Sequence, residues 1–211
     1  MLHKDHFIIA KATFELLHEL QSLPELKNFV LVGGTSLALQ MGHRNSIDID
    51  LFCQEDFDDD PLLDFLKLKY DVKEIYRRKN TIISLINNIK TDFIKHNNPY
   101  ILAPITEEGI TFLSKEDISA MKLNAIVNSG KRLKDFIDIY FLLEHFSLNQ
   151  MLEFYCKKYT YSNAMIALKA VGYFDDIDTA IDPPKLKNPL HLSTIQKRIM
   201  EAIRKPFNKF G

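Results

Sequence analysis

Apolar residues in this chain change their spacing along its length. The front part reads as strands mixed with helices, and the back part as helices alone. Between residues 5 and 22, Phe7, Ile8, Ala12, Phe14, Leu16, Leu17 and Leu20 recur at helical spacing ahead of Pro24, which predicts an amphipathic helix. Residues 28–32 read as a short buried strand, 35–41 as a helix stopped by Gly42, and 47–53 as a strand. A helix over 61–68 follows. Three strands are then predicted: one around Val72, Ile75 and Tyr76, a second over 81–85, and a third over 86–95 set off by the turn pair Asn87-Asn88. Residues 97–108, with Pro99 and Pro104, read as a loop, and 109–113 as a short strand. Beyond it the helical period takes over at 115–128, 133–146, 148–159, 162–171 and 194–204, with Ser114 and Ser193 as N-caps. Asp117, three residues after Ser114, makes a capping-box variant. The expected fold is α/β (α+β): a small mixed, mostly antiparallel sheet with flanking helices over residues 1–113, then a helical region packed on it over 114–211, with a ligand cleft between the halves.

The densest chemistry lies in residues 31–52, LVGGTSLALQMGHRNSIDIDLF. In a strand successive side chains alternate between faces. Asp48 and Asp50 therefore share one face, while Ile47, Ile49 and Leu51 are expected in the core. Two carboxylates side by side repel unless a cation lies between them. Carboxylates that leave room for water and phosphate oxygens suit Mg²⁺. Just upstream, Gly33-Gly34 allows close backbone approach, and the helix that follows offers free N–H groups and a positive dipole end to an anion. Thr35 or Ser36 would cap that helix or give a hydroxyl to a phosphate. Arg44 is close enough in sequence to meet a triphosphate or to pair with Asp48 or Asp50, and Ser46 could steady a metal ligand. His43 reads as structural.

Composition narrows the field. The chain has 211 residues, 46% hydrophobic and 26% charged, enough for a substantial core. A net charge of −1 makes no bulk case for nucleic-acid binding, so an RNA contact would need a local basic patch. The two cysteines, Cys53 and Cys156, lack metal spacing and fit reduced thiols in a cytoplasmic setting. No leader-like or membrane-length apolar run is evident. GxxxxGK[ST], HExxH and GxSxG are all absent. The acidic run Glu55, Asp56, Asp58, Asp59 and Asp60 reads as a solvated loop capping the next helix, rather than as a metal cluster. Asp175, Asp176 and Asp178 form a second acidic group, and Lys197, Arg198, Arg204, Lys205 and Lys209 a basic tail that reads as a solvated helix end.

Hydrophobic-Gly-Gly, a spacer, and Asp-hydrophobic-Asp-hydrophobic resemble the signature of the DNA polymerase β-like nucleotidyltransferases. Val32-Gly33-Gly34 and Asp48-Ile49-Asp50-Leu51 carry that likeness. The longer text GGTSLALQMGHRNSIDIDLF resembles the AbiEii/AbiGii toxin-type members. So does the later stretch, with Lys122 followed by Lys134-Asp135-x-x-Asp138-Ile139-Tyr140; the likeness spans roughly residues 28–146. The resemblance implies a third carboxylate on a neighbouring strand, and Asp92 is the matching position. It also implies a Mg²⁺-dependent transfer of a nucleotide from an NTP to a hydroxyl. Asp48, Asp50 and Asp92 would hold two Mg²⁺ ions, Gly33, Gly34, Thr35, Ser36 and Arg44 would cradle the phosphates, and Lys122 with Asp135 would complete the catalytic set. On composition alone, Lys122, Asp135 and Asp138 read first as a salt-bridge lacing between two helices, and it is the resemblance that turns Lys122 and Asp135 toward the site. The implied acceptor is RNA such as the tRNA 3′ end. The implied setting is the toxin of a toxin–antitoxin or phage-defence pair, with a cognate antitoxin as protein partner and no membrane. Two other readings stand beside it: a small-molecule transferase of the antibiotic-modifying kind, and a non-catalytic member that binds nucleotide or a partner.

Overall fold

A computed structural model describes all residues from Met1 to Gly211. The chain forms two compact units. One comprises Met1–Pro99 with Ala103–Leu113, and the other Tyr100–Leu102 with Ser114–Gly211.

The first unit is built on seven strands: β1 (Val30–Leu31), β2 (Ile49–Cys53), β3 (Val72–Arg78), β4 (Thr81–Ile86), β5 (Ile89–Lys95), β6 (Ile105–Glu107) and β7 (Ile110–Phe112). They lie in the order β3-β4-β5-β2-β1-β7-β6. Only β1–β7 and β2–β5 run parallel; the other neighbours are antiparallel. This is the mixed, mostly antiparallel sheet that the hydrophobic pattern predicts. Helices α1 (Lys11–Ser22), α2 (Gly33–Met41) and α3 (Asp59–Lys69) belong to the same unit. The core gathers Leu16, Leu17 and Leu20 of α1, Leu63 and Leu66 of α3, and Leu31, Ile49, Leu51, Ile82, Phe93 and Phe112 of the sheet. Phe93 meets Phe29 edge to face, with ring centroids 5.5 Å apart.

Several boundaries depart from the sequence reading, each for a local reason. Helix α1 starts at Lys11 because the Asp5 carboxylate accepts the N–H groups of Phe7 and Ile8, a turn that competes with the helix. Ile47 is 57% exposed rather than buried, because β2 begins only at Ile49. Asn87 and Asn88 both take positive φ (50° and 65°), so they form the two-residue turn and β5 starts at Ile89. The loop expected over 97–108 contains strand β6, which turns back onto β7 through Glu108 and Gly109, at φ 53° and 79°.

The second unit holds α4 (Lys115–Asn128), α5 (Leu133–Leu142), α6 (Leu148–Lys158), α7 (Ala164–Val171) and α8 (Leu192–Arg204). Ser114 caps α4 as expected, its hydroxyl accepting the Asp117 N–H at 3.1 Å. Ser193 does not cap α8; His191 occupies that position and Ser193 lies inside the helix. The Asp117 carboxylate does more than the sequence suggests. It accepts from the backbone N–H groups of Ile101 and Leu102, from the Ser114 hydroxyl and from the Lys158 ammonium at 2.8 Å. Both charged side chains are fully buried. Burial lowers the Lys158 pKa, and the Asp117 hydrogen bond and charge oppose that shift. No helix is long and apolar enough to cross a membrane.

Removing one partner of a fully buried pair leaves the other charge uncompensated. Asp117→Ala should therefore lower unfolding free energy by about 3–5 kcal/mol, read from urea midpoints at pH 7. The cysteines offer a second check. Burial, reinforced by the Glu55 charge, pushes the Cys53 thiol up to about 11. A thiol reagent at pH 8 should modify the half-buried Cys156 first, and Cys53 only as fast as the chain opens.

Candidate active site

Strands β2 and β5 run side by side, and their register sets Asp50 directly against Asp92. Neighbours in register point to the same face of a sheet. The two carboxylates therefore project together, while Leu51 and Phe93, one position on, enter the core from the opposite face. Asp48 sits two residues before Asp50, on the segment leading into β2. The three acids singled out in the sequence are thus brought to one region of the sheet. Asp92 is 7% exposed, and its Oδ1 is buried with no hydrogen-bond partner.

A fourth residue belongs to this group and escaped the sequence reading. Lys90 precedes Asp92 by two on β5, and so shares its face. Its Nζ donates to Asp92 Oδ2 at 2.6 Å. Partial burial would lower the pKa of this ammonium. The Asp92 hydrogen bond and charge, followed by the charges of Asp50 and Asp48, outweigh that effect and hold it above its ordinary value. The signal was present as the i, i+2 spacing of Lys90 and Asp92 in a predicted strand.

The glycine turn faces the same carboxylates. Helix α2 begins at Gly33, with Val32 at its N-cap and no side-chain cap. Gly33 has φ +68°, and a Cβ there would lie 2.5 Å from Asp50 Oδ2. A Cβ on Gly34 would run into the Arg44 guanidinium. Arg44 is buried beside this turn, and its Nη1 donates to the Asn45 carbonyl at 2.8 Å. Thr35 and Ser36 are not the cap, and their hydroxyls are not open to a ligand. Both residues are buried in the first turn of α2. Thr35 Oγ1 donates to the Asp48 carbonyl and lies 2.8 Å from Ser46 Oγ, while Ser36 Oγ accepts from Gln40. What the turn presents is backbone: the first N–H groups of a helix have no partner within it. Thr35 thereby ties the helix start to the chain at Asp48.

Lys122, Asp135 and Asp138 meet inside the second unit. Lys122 Nζ lies 2.8 Å from Asp135 Oδ1 and 2.7 Å from Asp138 Oδ2, with all three side chains at 6% exposure or less. Arg132 Nε adds a contact to Asp135 Oδ2 at 3.3 Å. Two cations thus meet two carboxylates, a formally neutral cluster joining α4 to α5. The acidic run after β2 is dispersed among neighbours: Glu55 accepts from Asn28, Asp56 from Lys95, and Asp60 pairs with Arg77. No three His, Cys, Asp or Glu side chains are arranged as a group that could hold a metal by themselves.

Gly33→Ala adds a Cβ at positive φ and at overlap distance from Asp50. It should cost about 1–3 kcal/mol in urea unfolding. Gly34→Ala, with no positive φ and only a long side chain to displace, should cost less.

The family model for the AbiEii nucleotidyl transferase toxin of type IV toxin–antitoxin systems matches residues 15–102, a span that contains Gly33, Asp48, Asp50, Lys90 and Asp92. The uncharacterized protein aq_aa25 of Aquifex aeolicus (strain VF5) is 32% identical over 174 residues, covering 80% of this chain and 84% of its own length. Among solved structures, a provisionally assigned nucleotidyltransferase from H. pylori superposes with a TM-score of 0.53 at 18% identity, over 92% of this chain and 94% of its own. JHP933 from Helicobacter pylori gives 0.52 at 18% identity, over 93% and 92%. The structural likeness carries the fold, and the family model and the relative carry the family: the chain belongs to the AbiEii nucleotidyltransferase toxin family.

Proposed function

We propose that this protein transfers a nucleoside monophosphate from an NTP to a hydroxyl acceptor, at the face formed by Asp48, Asp50 and Asp92. The observation that carries the reading is the Asp50–Asp92 register pair under the Gly33 turn. Mg²⁺ typically takes one or two protein carboxylates and completes its shell with water and substrate phosphates. A dedicated cage of three side chains is therefore not needed. The buried, unpartnered Oδ1 of Asp92 is a donor atom in want of a cation, Asp50 lies directly beside Asp92, and Asp48 is on the segment leading into the same strand. These residues fit a divalent ion, and in this reading they hold it. Bound divalent ions supply charge stabilisation on the acceptor oxygen and on the departing pyrophosphate.

The rest is positioning by the chain itself. The N–H groups at the start of α2 receive phosphate oxygens, helped by the helix dipole. Gly33 lets that backbone approach without a side chain in the way. Arg44 and Thr35 hold the turn and the Asp48 segment in place. Asp92 lies next to Asp50 and takes up the proton of the attacking hydroxyl. Preorganised charge and alignment supply most of the rate.

The acceptor in this reading is RNA, and the biological setting is a toxin restrained by a cognate antitoxin. The description of the family as a type IV toxin supports that setting. The test is to incubate the protein with each α-labelled NTP, Mg²⁺ and total RNA, beside Asp50→Ala, Asp92→Ala and an EDTA control. Label should enter RNA with the intact protein and fall about a hundredfold or more in either variant. Full transfer by Asp50→Ala, or no product with any NTP, would overturn the proposal.

A further inference from the structure

Lys90 is surrounded by the acids of the site. Asp92 is two residues on along the same strand and accepts its hydrogen bond. Asp50, paired with Asp92 across the β2–β5 ladder, lies diagonal to Lys90, and Asp48, on the segment just before β2, also acts on the ammonium with its charge. On its other side β4 offers Leu85, which brings no charge. Three carboxylates thus act on this one ammonium, while Arg44 stands at the Gly33-Gly34 turn beside Asp50. The Lys90 side chain is 40% exposed, against 10% for Asp92. A flexible four-carbon stem with that much access to solvent can leave the carboxylates without disturbing the strand.

From this geometry we infer that Lys90 is a tethered counter-ion, which opposes divalent cations at the carboxylate site until a polyphosphate arrives to take up its charge. The inference rests on the nucleotidyltransferase reading and adds a regulation to it. With Lys90 on Asp92, a divalent ion entering alone meets a positive charge and a carboxylate already half engaged. An ion entering with a polyphosphate brings several negative oxygens, and the ammonium can turn to these. Metal and nucleotide then bind as a unit. By linkage, whatever the nucleotide adds to metal affinity the metal adds to nucleotide affinity, and Lys90 sets the size of that coupling.

The experiment compares Mn²⁺ binding to wild type, Lys90→Met and Lys90→Arg, by electron paramagnetic resonance, with and without a non-hydrolysable NTP. Lys90→Met should bind free Mn²⁺ at least about tenfold more tightly than wild type. Lys90→Arg, which keeps the charge, should stay close to wild type. Adding the nucleotide should tighten Mn²⁺ strongly in wild type and only weakly in Lys90→Met. Should Lys90→Met melt too low to study, Lys90→Gln keeps a donor for Asp92 without the charge and carries the same expectation. Equal or weaker Mn²⁺ binding by a folded, charge-free variant, with wild type binding normally, would overturn the inference and leave the transferase reading intact. No Mn²⁺ binding by any of the proteins, with nucleotide or without, would overturn the metal reading and this inference together.

Discussion

Mutual repulsion between neighbouring carboxylates is the constraint on which the first unit turns. It arises from backbone register and not from side-chain choice. Asp50 and Asp92 are opposite one another on two central strands, and the same pleat sends Leu51 and Phe93 into the core. The acids cannot separate by slipping a strand, because a shift of one residue would turn Phe93 out and Asp92 in. The hydrophobic core thus holds two like charges together, and the chain answers with a cation two positions before Asp92 on the same strand. Stability and chemistry are set by one register.

Charge is handled differently in the second unit. There Asp117 and Lys158 are fully buried as a pair, and Asp117 gathers backbone and hydroxyl donors as well. Lys122 lies between two carboxylates, one of them shared with Arg132. These groups are compensated within the helices, as buried charges must be. The carboxylate face of the sheet, by contrast, keeps one buried oxygen without a hydrogen-bond partner, Oδ1 of Asp92.

Much of this was legible in the residues. Alternation at period two put Asp50 on a strand and made 86–95 a strand, which begins three residues later at Ile89. Gly33-Gly34 marked the turn, and Ser114 the start of α4. What escaped was decided by contacts the local pattern does not encode. Strand β6 is three residues long and depends on Glu108 taking a backbone conformation that glycine normally supplies. Lys158 finds Asp117 across 41 positions of sequence. Thr35 looked like a phosphate ligand because hydroxyls near a glycine turn often are, yet folding spends it on the Asp48 carbonyl. Lys90 shares a face with Asp92 only because residues 89–95 form a strand, and a lone lysine at that spacing carries no motif of its own.

The division of the chain carries a consequence for how such a protein is cut or grafted. Tyr100–Leu102 belong to the helical unit, although Ala103–Leu113 return to the sheet. The anchor is the Asp117 carboxylate, which receives the Ile101 and Leu102 amides. No single cleavage yields two intact pieces. A break after Leu113 strands three residues on the wrong fragment and strips Asp117 of two of its donors. A break before Tyr100 deprives the sheet of β6 and β7. Shuffling either half onto another scaffold would require two junctions.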